Sequence, residues 1–247
     1  MQPLIEFNHT DFKISRKNII HNINLSISPG DFIVVLGGNG SGKSTLLKLL
    51  NRTYRNTSGN ITFHQKKLSQ YDEKELRQKM VTITQYIGDS IFLDLTIEEN
   101  AILIESSYLK SAHQHFDKKQ FLIALPNYLK QFNPKLAELL KSRTNCLSGG
   151  EQQILAFALY LRHQPDLLLL DEHTSALDPK KSDAVMTFTH QFILQKHITC
   201  LMTTHQLDYA LKYGNRLIAL RDGEVVFEAN AREKAQLVMS DLLKYCY

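Results

Sequence analysis

The chain has 247 residues, of which 43% are hydrophobic and 22% charged, and a net charge of +4. That composition suits one globular domain, or one core with an inserted subdomain, and the positive excess is too diffuse to argue for nucleic acid. No apolar run approaches the ~20 residues needed to cross a bilayer, and Cys146, Cys200 and Cys246 share no metal or redox spacing, which fits a reducing cytosol.

The first residues, Met1 to Glu6, lack a basic region followed by an apolar one, so no secretory leader is expected there. Residues 4–7 and 12–14 alternate weakly, as short strands do, with a turn at 15–18. Residues 19–27 alternate again, placing Ile23, Leu25 and Ile27 on one face. Pro29-Gly30-Asp31 is a turn signal before the apolar run Phe32-Ile33-Val34-Val35-Leu36.

After that run comes Gly37-Gly38-Asn39-Gly40-Ser41-Gly42-Lys43-Ser44-Thr45, and then a helical pattern. Strand, glycine-rich loop and helix in this order fit G-x-x-x-x-G-K-[ST], the phosphate loop. Glycines let backbone N–H groups close round a phosphate, and the helix start adds partial positive charge. Lys43 can reach the β- and γ-phosphates, and the Ser44 hydroxyl can ligate Mg²⁺. The blander alternative is a glycine-rich turn with a surface lysine.

Further on, residues 61–63 and 81–84 read as strands and 72–79 as a charged helix. Thr96 and Glu99 have capping-box spacing, so a helix is expected from there. Between 101 and 146 apolar residues fall at helical spacing, for example Phe121, Leu125 and Leu129, with Pro126 and Pro134 as punctuation. This reads as an inserted helical subdomain. His113 and His115 lie in a polar part of it and read as solvated surface rather than metal ligands.

Leu147-Ser148-Gly149-Gly150-Glu151 leads into a helix. Taken alone, Ser148-Gly149-Gly150 reads as a turn with a helix cap. Four leucines, 167–170, form a buried strand ending in Asp171-Glu172. A helix spans about 181–195, and a strand over 198–204 ends at His205. A helix at 207–212, a hairpin around Asp222-Gly223 and a charged helix over 231–244 complete the pattern. Strand ends are where open α/β sheets bind ligands. Asp171 is placed to hold Mg²⁺ and Glu172 to act as general base on an attacking water. His205 and Gln85 stand alone at strand ends and carry no weight by position.

With the 147–151 motif in view, the chain resembles the ATP-binding subunit of an ABC transporter. Residues 37–45 match that family's Walker A, 147–151 its signature, 167–172 its Walker B with the following glutamate, and Ser175-Ala176-Leu177-Asp178 its D-loop. Gln85 matches the Q-loop glutamine and His205 the switch histidine. Order and spacing agree along nearly the whole chain. Only the middle helical region and the last helix lack diagnostic motifs. The resemblance implies an α/β fold: a P-loop NTPase core of mostly parallel sheet, an N-terminal antiparallel β-subdomain and an inserted α-helical subdomain. Residues 1–247 are then a single ATP-binding domain, with 1–85 and 147–247 as the nucleotide-binding core and 86–146 as the helical subdomain with the Q-loop.

The resemblance also implies ATP and Mg²⁺ as cofactors and a second ATP-binding subunit, paired head to tail. Each ATP would lie between the Walker A of one copy and Ser148, Gly149 and Gly150 of the other. His205 would contact the γ-phosphate, and Gln85 would sense the nucleotide and touch Mg²⁺ or water. A transmembrane permease subunit would dock near residues 86–100 and the helical insert, on the inner face of the cell membrane. A solute-binding protein would belong to the same system. The family stacks adenine on an aromatic residue from the N-terminal strands; a gapless register puts Ile14 there, a longer hairpin puts Phe12 there, and Phe12 is favoured. Glu151 stands where Gln is commoner. A finer resemblance, carried by residues 36–40, 171–174 and 212–217, is to bacterial importer ATPases assigned to aromatic or other amino acids, which share His173 in place of the usual proline. Three rivals are a soluble ABC ATPase acting in DNA repair or translation, a regulatory module with dead catalysis and a P-loop kinase. The first lacks its usual second cassette or coiled-coil insertion here. Intact Lys43, Asp171, Glu172 and His205 oppose the second, and the 147–151 motif opposes the third.

Overall fold

The computed structural model describes residues 2–109 and 116–245, so His113, His115 and Cys246 lie outside the described residues. The chain begins with β1 (Ile5–Ile14), β2 (Lys17–Ile27), β3 (Phe32–Leu36) and α1 (Lys43–Leu50). β4 (Ser58–Phe63), β5 (Lys66–Lys67), α2 (Glu73–Lys79) and β6 (Met80–Thr84) follow. Next come α3 (Ile97–Ser107), α4 (Lys118–Leu129), α5 (Pro134–Glu138), α6 (Gly149–Leu161) and β7 (Leu167–Asp171). The last elements are α7 (Pro179–Lys196), β8 (Thr199–Thr204), α8 (Leu207–Lys212), β9 (Arg216–Arg221), β10 (Glu224–Ala229), α9 (Ala231–Lys234) and α10 (Met239–Leu243).

A four-stranded sheet has the order β2-β1-β4-β5, and each of its pairs is antiparallel. The two short strands expected at 4–7 and 12–14 are one strand. Its register shifts between Phe7 and Thr10 and again between Thr10 and Phe12, and His9 sits at φ 45. Such bulges switch which residues face inward, and this is why the alternation looks weak in sequence.

The second sheet has the order β10-β9-β3-β8-β7-β6, with β3–β8, β3–β9 and β7–β8 parallel. Every residue of β3 and β8 is buried, as is β7 up to Asp171, and β3 and β7 accordingly read as unbroken apolar runs. The parallel register sets Leu36 beside Thr204 and Asp171 beside Thr203. The C-terminal ends of β3, β7 and β8 therefore share one edge, and the polar residues that follow them converge there. β9 and β10 join through Asp222 (φ 51) and Gly223 (φ 82), the positive pair a tight two-residue hairpin needs.

The contacts divide the chain into two units. The first is Met1–Thr82, Asp166–Glu172 and His190–Tyr247. Its core packs Ile33, Val35, Leu46, Leu169, Leu201 and Ile218. The second is Ile83–Pro165 with His173–Thr189. Ile97, Ala101, Leu125, Leu129, Leu136 and Leu155 form its core. α3 starts on the expected Thr96–Glu99 capping box. Pro134 opens α5, but Pro126 lies inside α4 rather than ending it. The helix forgoes one N–H bond there and continues because Leu125 and Leu129 are fully buried on either side.

The single closing helix expected over 231–244 is two short ones, α9 and α10. Lys234 is drawn inward to donate to the carbonyls of Tyr213 and Gly214, which fixes the end of α9, and Asp241 caps a fresh start at Val238. Among the described residues no helix is long and apolar enough to cross a membrane.

Candidate nucleotide site

The loop between β3 and α1 is shaped by what cannot fit beside it. A Cβ on Gly37 would stand 2.4 Å from the Leu220 carbonyl oxygen. Gly42 has φ 104, and a Cβ there would meet Ile20 at 2.9 Å. From behind, Gly223 of the β9–β10 turn donates its N–H to the Ser41 carbonyl at 3.1 Å. Asn39 and Gly40 are exposed, whereas Ser41, Gly42 and Lys43 are buried.

α1 begins with no side-chain cap and no acidic residue in its first turn. Several other helices are capped by side chains, α2 by Asp72 and α3 by Thr96, although α8 is not. An uncapped helix start behind a glycine loop leaves backbone donors for an anion. The buried Ser41 hydroxyl also has no hydrogen-bond partner. Both observations fit a bound phosphate chain.

Lys43 is folded back onto this loop. Its Nζ donates to the carbonyls of Gly37 at 2.8 Å and Gly38 at 3.1 Å, and lies 3.4 Å from Glu172 Oε1. Asp171 Oδ1 accepts from the Ser44 hydroxyl at 2.9 Å and the Thr203 hydroxyl at 2.7 Å. The Glu172 backbone N–H donates to that same Thr203 oxygen at 3.0 Å. Glu172 Oε2 is 3.1 Å from His205 Nδ1. Glu172 takes φ 46, an uncommon conformation for a residue with a Cβ. These bonds bring Lys43, Ser44, Asp171, Glu172 and His205 together within the first unit, and they separate the two neighbouring acids by partner.

A hydroxyl and a carboxylate side by side are hard oxygen donors suited to Mg²⁺, which takes one or two such protein ligands and completes its shell with water and substrate phosphates. No cluster of three or more His, Cys, Asp or Glu that could hold a metal is present among the described residues. Thr203 was legible only as part of a strand. The signal for it was a hydroxyl residue at the C-terminal end of an otherwise apolar buried run.

Phe12, the favoured stacking residue, has its ring against another ring of the chain. It is 8% exposed, belongs to the first core and stacks on Tyr54 at 4.9 Å between centroids. Ile14, the gapless alternative, is 49% exposed at the end of β1. The β1 register shifts fall on either side of Phe12.

Gln85 and the signature residues belong to the second unit. Gln85 is exposed directly after β6. Ser148 is exposed at the N-cap of α6, with Gly149 and Gly150 as the first helical residues. Glu151 Oε2 accepts from the Ser148 N–H at 2.8 Å, and Oε1 accepts from Lys135 Nζ at 2.7 Å. Partial burial pushes the Glu151 carboxyl up, but the bonds from Lys135 and Ser148 outweigh it and hold the group below its usual range.

The family model for ABC transporters matches residues 20–175. The chain belongs to the ABC transporter family of ATP-binding proteins. This ABC ATPase is 34% identical over 230 residues to the tyrosine transport ATP-binding protein of Clostridioides difficile, covering 92% of this chain and 90% of that one. It is 36% identical over 221 residues to the phosphonates import ATP-binding protein of Bdellovibrio bacteriovorus, covering 87% and 83%. Among solved structures, a dimeric ATP-binding cassette in a post-hydrolysis state, bound to ADP and Pi, superposes with TM-score 0.73 at 27% identity, covering 92% of this chain and 99% of that one. A component of an ABC transporter complex from Clostridium perfringens shares the fold, with TM-score 0.80 at 24% identity over 94% and 90% of the two chains. As an ABC transporter ATPase the chain binds and hydrolyses ATP.

Proposed function

We propose that this ABC ATPase powers solute import from the inner face of the membrane, working as a head-to-tail pair of identical subunits beneath a transmembrane permease. The observation that carries the catalytic part is the division of partners at β7: Asp171 is engaged by hydroxyls, Glu172 by a lysine and a histidine. Two adjacent acids so separated can take different tasks.

In this reading residues 37–45 wrap the phosphates, and Lys43 exchanges its loop carbonyls for β- and γ-phosphate oxygens. Ser44 and Asp171 would hold Mg²⁺, which would neutralise charge developing on the phosphates. Glu172 accepts the proton of the attacking water, and His205, already bonded to that carboxylate, turns to the γ-phosphate. Ser148, Gly149 and Gly150 of the second copy face the same phosphate with N–H groups at a helix start. The base lies against the end of β1 at Ile14. Residues 1–247 act as one ATP-binding domain carrying its helical subdomain within 86–146.

Partner docking is assigned to residues 86–100, where Tyr86 is 66% and Phe92 62% exposed. Large rings held out to water are what a partner helix buries. Import is supported by relatives named for tyrosine transport and phosphonates import, and the same names favour transport over DNA repair or translation. The solute we assign is an amino acid, delivered by a solute-binding protein. Uptake of labelled tyrosine against a labelled phosphonate, each compared with a Glu172→Gln strain, separates the two solutes.

The central test is the Glu172→Gln variant with ATP and Mg²⁺. It keeps the shape of the site and removes the base, so gel filtration should show a stable dimer, with turnover down about 10²–10⁴-fold. A monomer that still hydrolyses ATP at the normal rate overturns the reading.

A further inference from the structure

Glu151 places a carboxylate in the first turn of the helix that, on the reading above, receives a nucleotide phosphate from the other copy. An unbalanced carboxylate there would repel that phosphate and take up part of the positive end of the helix. The structure supplies a counter-ion. Lys135 Nζ is 2.7 Å from Glu151 Oε1, while Oε2 is held by the Ser148 N–H at 2.8 Å.

The Lys135 side chain is 55% exposed, but it springs from a fixed backbone. Asn133 caps α5 by accepting from the Lys135 N–H at 3.0 Å, Pro134 fixes the first helical turn, and Leu136 is fully buried in the second core. The backbone that carries the ammonium is thus set before the pair forms, so less side-chain freedom is lost in making it. The Glu151 side chain is 16% exposed, so the pair is shielded from solvent on the carboxylate side only. Lys181 is a second cation that feels the Glu151 charge, but it is committed to Asp178 at 2.8 Å.

We propose that Lys135 is a positioning residue for the transphosphate contact: it cancels the Glu151 charge and keeps that carboxylate turned onto its own helix start, so that an acidic signature can accept a triphosphate. This rests on the facing-signature reading of Proposed function. A signature with Gln at this position would need no such lysine, so the requirement for Lys135 should vanish when Glu151 does.

The experiment is a double-mutant cycle in full-length protein. ATP-driven dimerisation is measured in the Glu172→Gln background, and ATPase rate against ATP concentration in the parent. Lys135→Met should raise the ATP concentration for half-maximal dimer and turnover roughly five- to tenfold, the scale of one uncompensated charge near a phosphate. It should leave far-UV circular dichroism unchanged, and the gap should narrow at high salt. Lys135→Met/Glu151→Gln should return to within about twofold of Glu151→Gln alone, the non-additivity that marks a direct coupling of the two residues. A double variant as impaired as Lys135→Met, or a Lys135→Met protein equal to the parent, overturns the proposal. Ser148→Arg tests the parent reading separately. If that variant still dimerises on ATP, the facing-signature arrangement falls and the pairing proposal with it. If Ser148→Arg blocks dimerisation while Lys135→Met has no effect, only the pairing falls.

Discussion

In the phosphate-loop region the polar side chains already bind one another: Lys43 rests on Gly37 and Gly38 and faces Glu172, Asp171 holds Ser44 and Thr203, and Glu172 holds His205. In the signature region the helix start is served by its own acid, Glu151, whose charge is met by one lysine. The first arrangement is a closed set of charges that an incoming triphosphate must open and re-form around itself. The second is tied by a capping box between Ser148 and Glu151, and its charge is balanced chiefly by one ion pair. Binding at the first should therefore depend on replacing strong local bonds, and closure at the second on a small balance of charge.

The largest way to break this comparison is Lys43→Ala. It removes the cation from the closed set and leaves Glu172 without its nearest ammonium. Phosphate-release assays should show turnover down about 10²–10³-fold, the usual cost of one lost donor to a developing anion. A drop of less than tenfold would mean that the phosphate loop backbone alone carries the grip.

A smaller effect is expected from Ile14→Tyr, which restores an aromatic face at the exposed end of β1 without touching either polar region. Base stacking should tighten ATP by about 0.5–1.5 kcal/mol, read by calorimetry. The dimer's dependence on Lys135 should not change. No gain in affinity would place the base elsewhere.

The smallest effect is a pH dependence confined to the signature. The Glu151 carboxyl titrates below its usual value in the folded chain, so between the two values the unfolded chain binds more protons. Its stabilising contribution is whole above about pH 4.5 and fades as pH falls through the lowered value. Melting temperatures of the parent and Glu151→Gln should differ near neutrality and converge in acid. A gap that persists unchanged in acid would show that the carboxylate's charge is not what stabilises the helix start.

How much of this was legible in sequence differs by region. The phosphate loop, the two acids and the buried strands follow from local spacing, because a strand, a glycine turn and a helix start are contiguous in the chain. The burial of Phe12 was not legible, because the bulges in β1 depend on pairing with β2 and β4, which spacing does not encode. The Lys135–Glu151 pair was invisible for a similar reason: its members lie on α5 and α6, which meet through a shared core that includes Leu136 and Leu155. The closing helix was read as one because its charged pattern gives no hint that Lys234 finds carbonyls to bind.

The walls of the phosphate loop come from far along the chain. β3 is flanked by β8 and β9, Leu220 stands against Gly37, and Gly223 braces Ser41. Ribosomes deliver those walls some 180 residues after the loop itself, on the count from Ser41 to Gly223. Until that hairpin forms, the glycine motif lacks the neighbours that pack against Gly37 and brace Ser41. Nucleotide should therefore steady the loop only once the β9–β10 hairpin has folded against it.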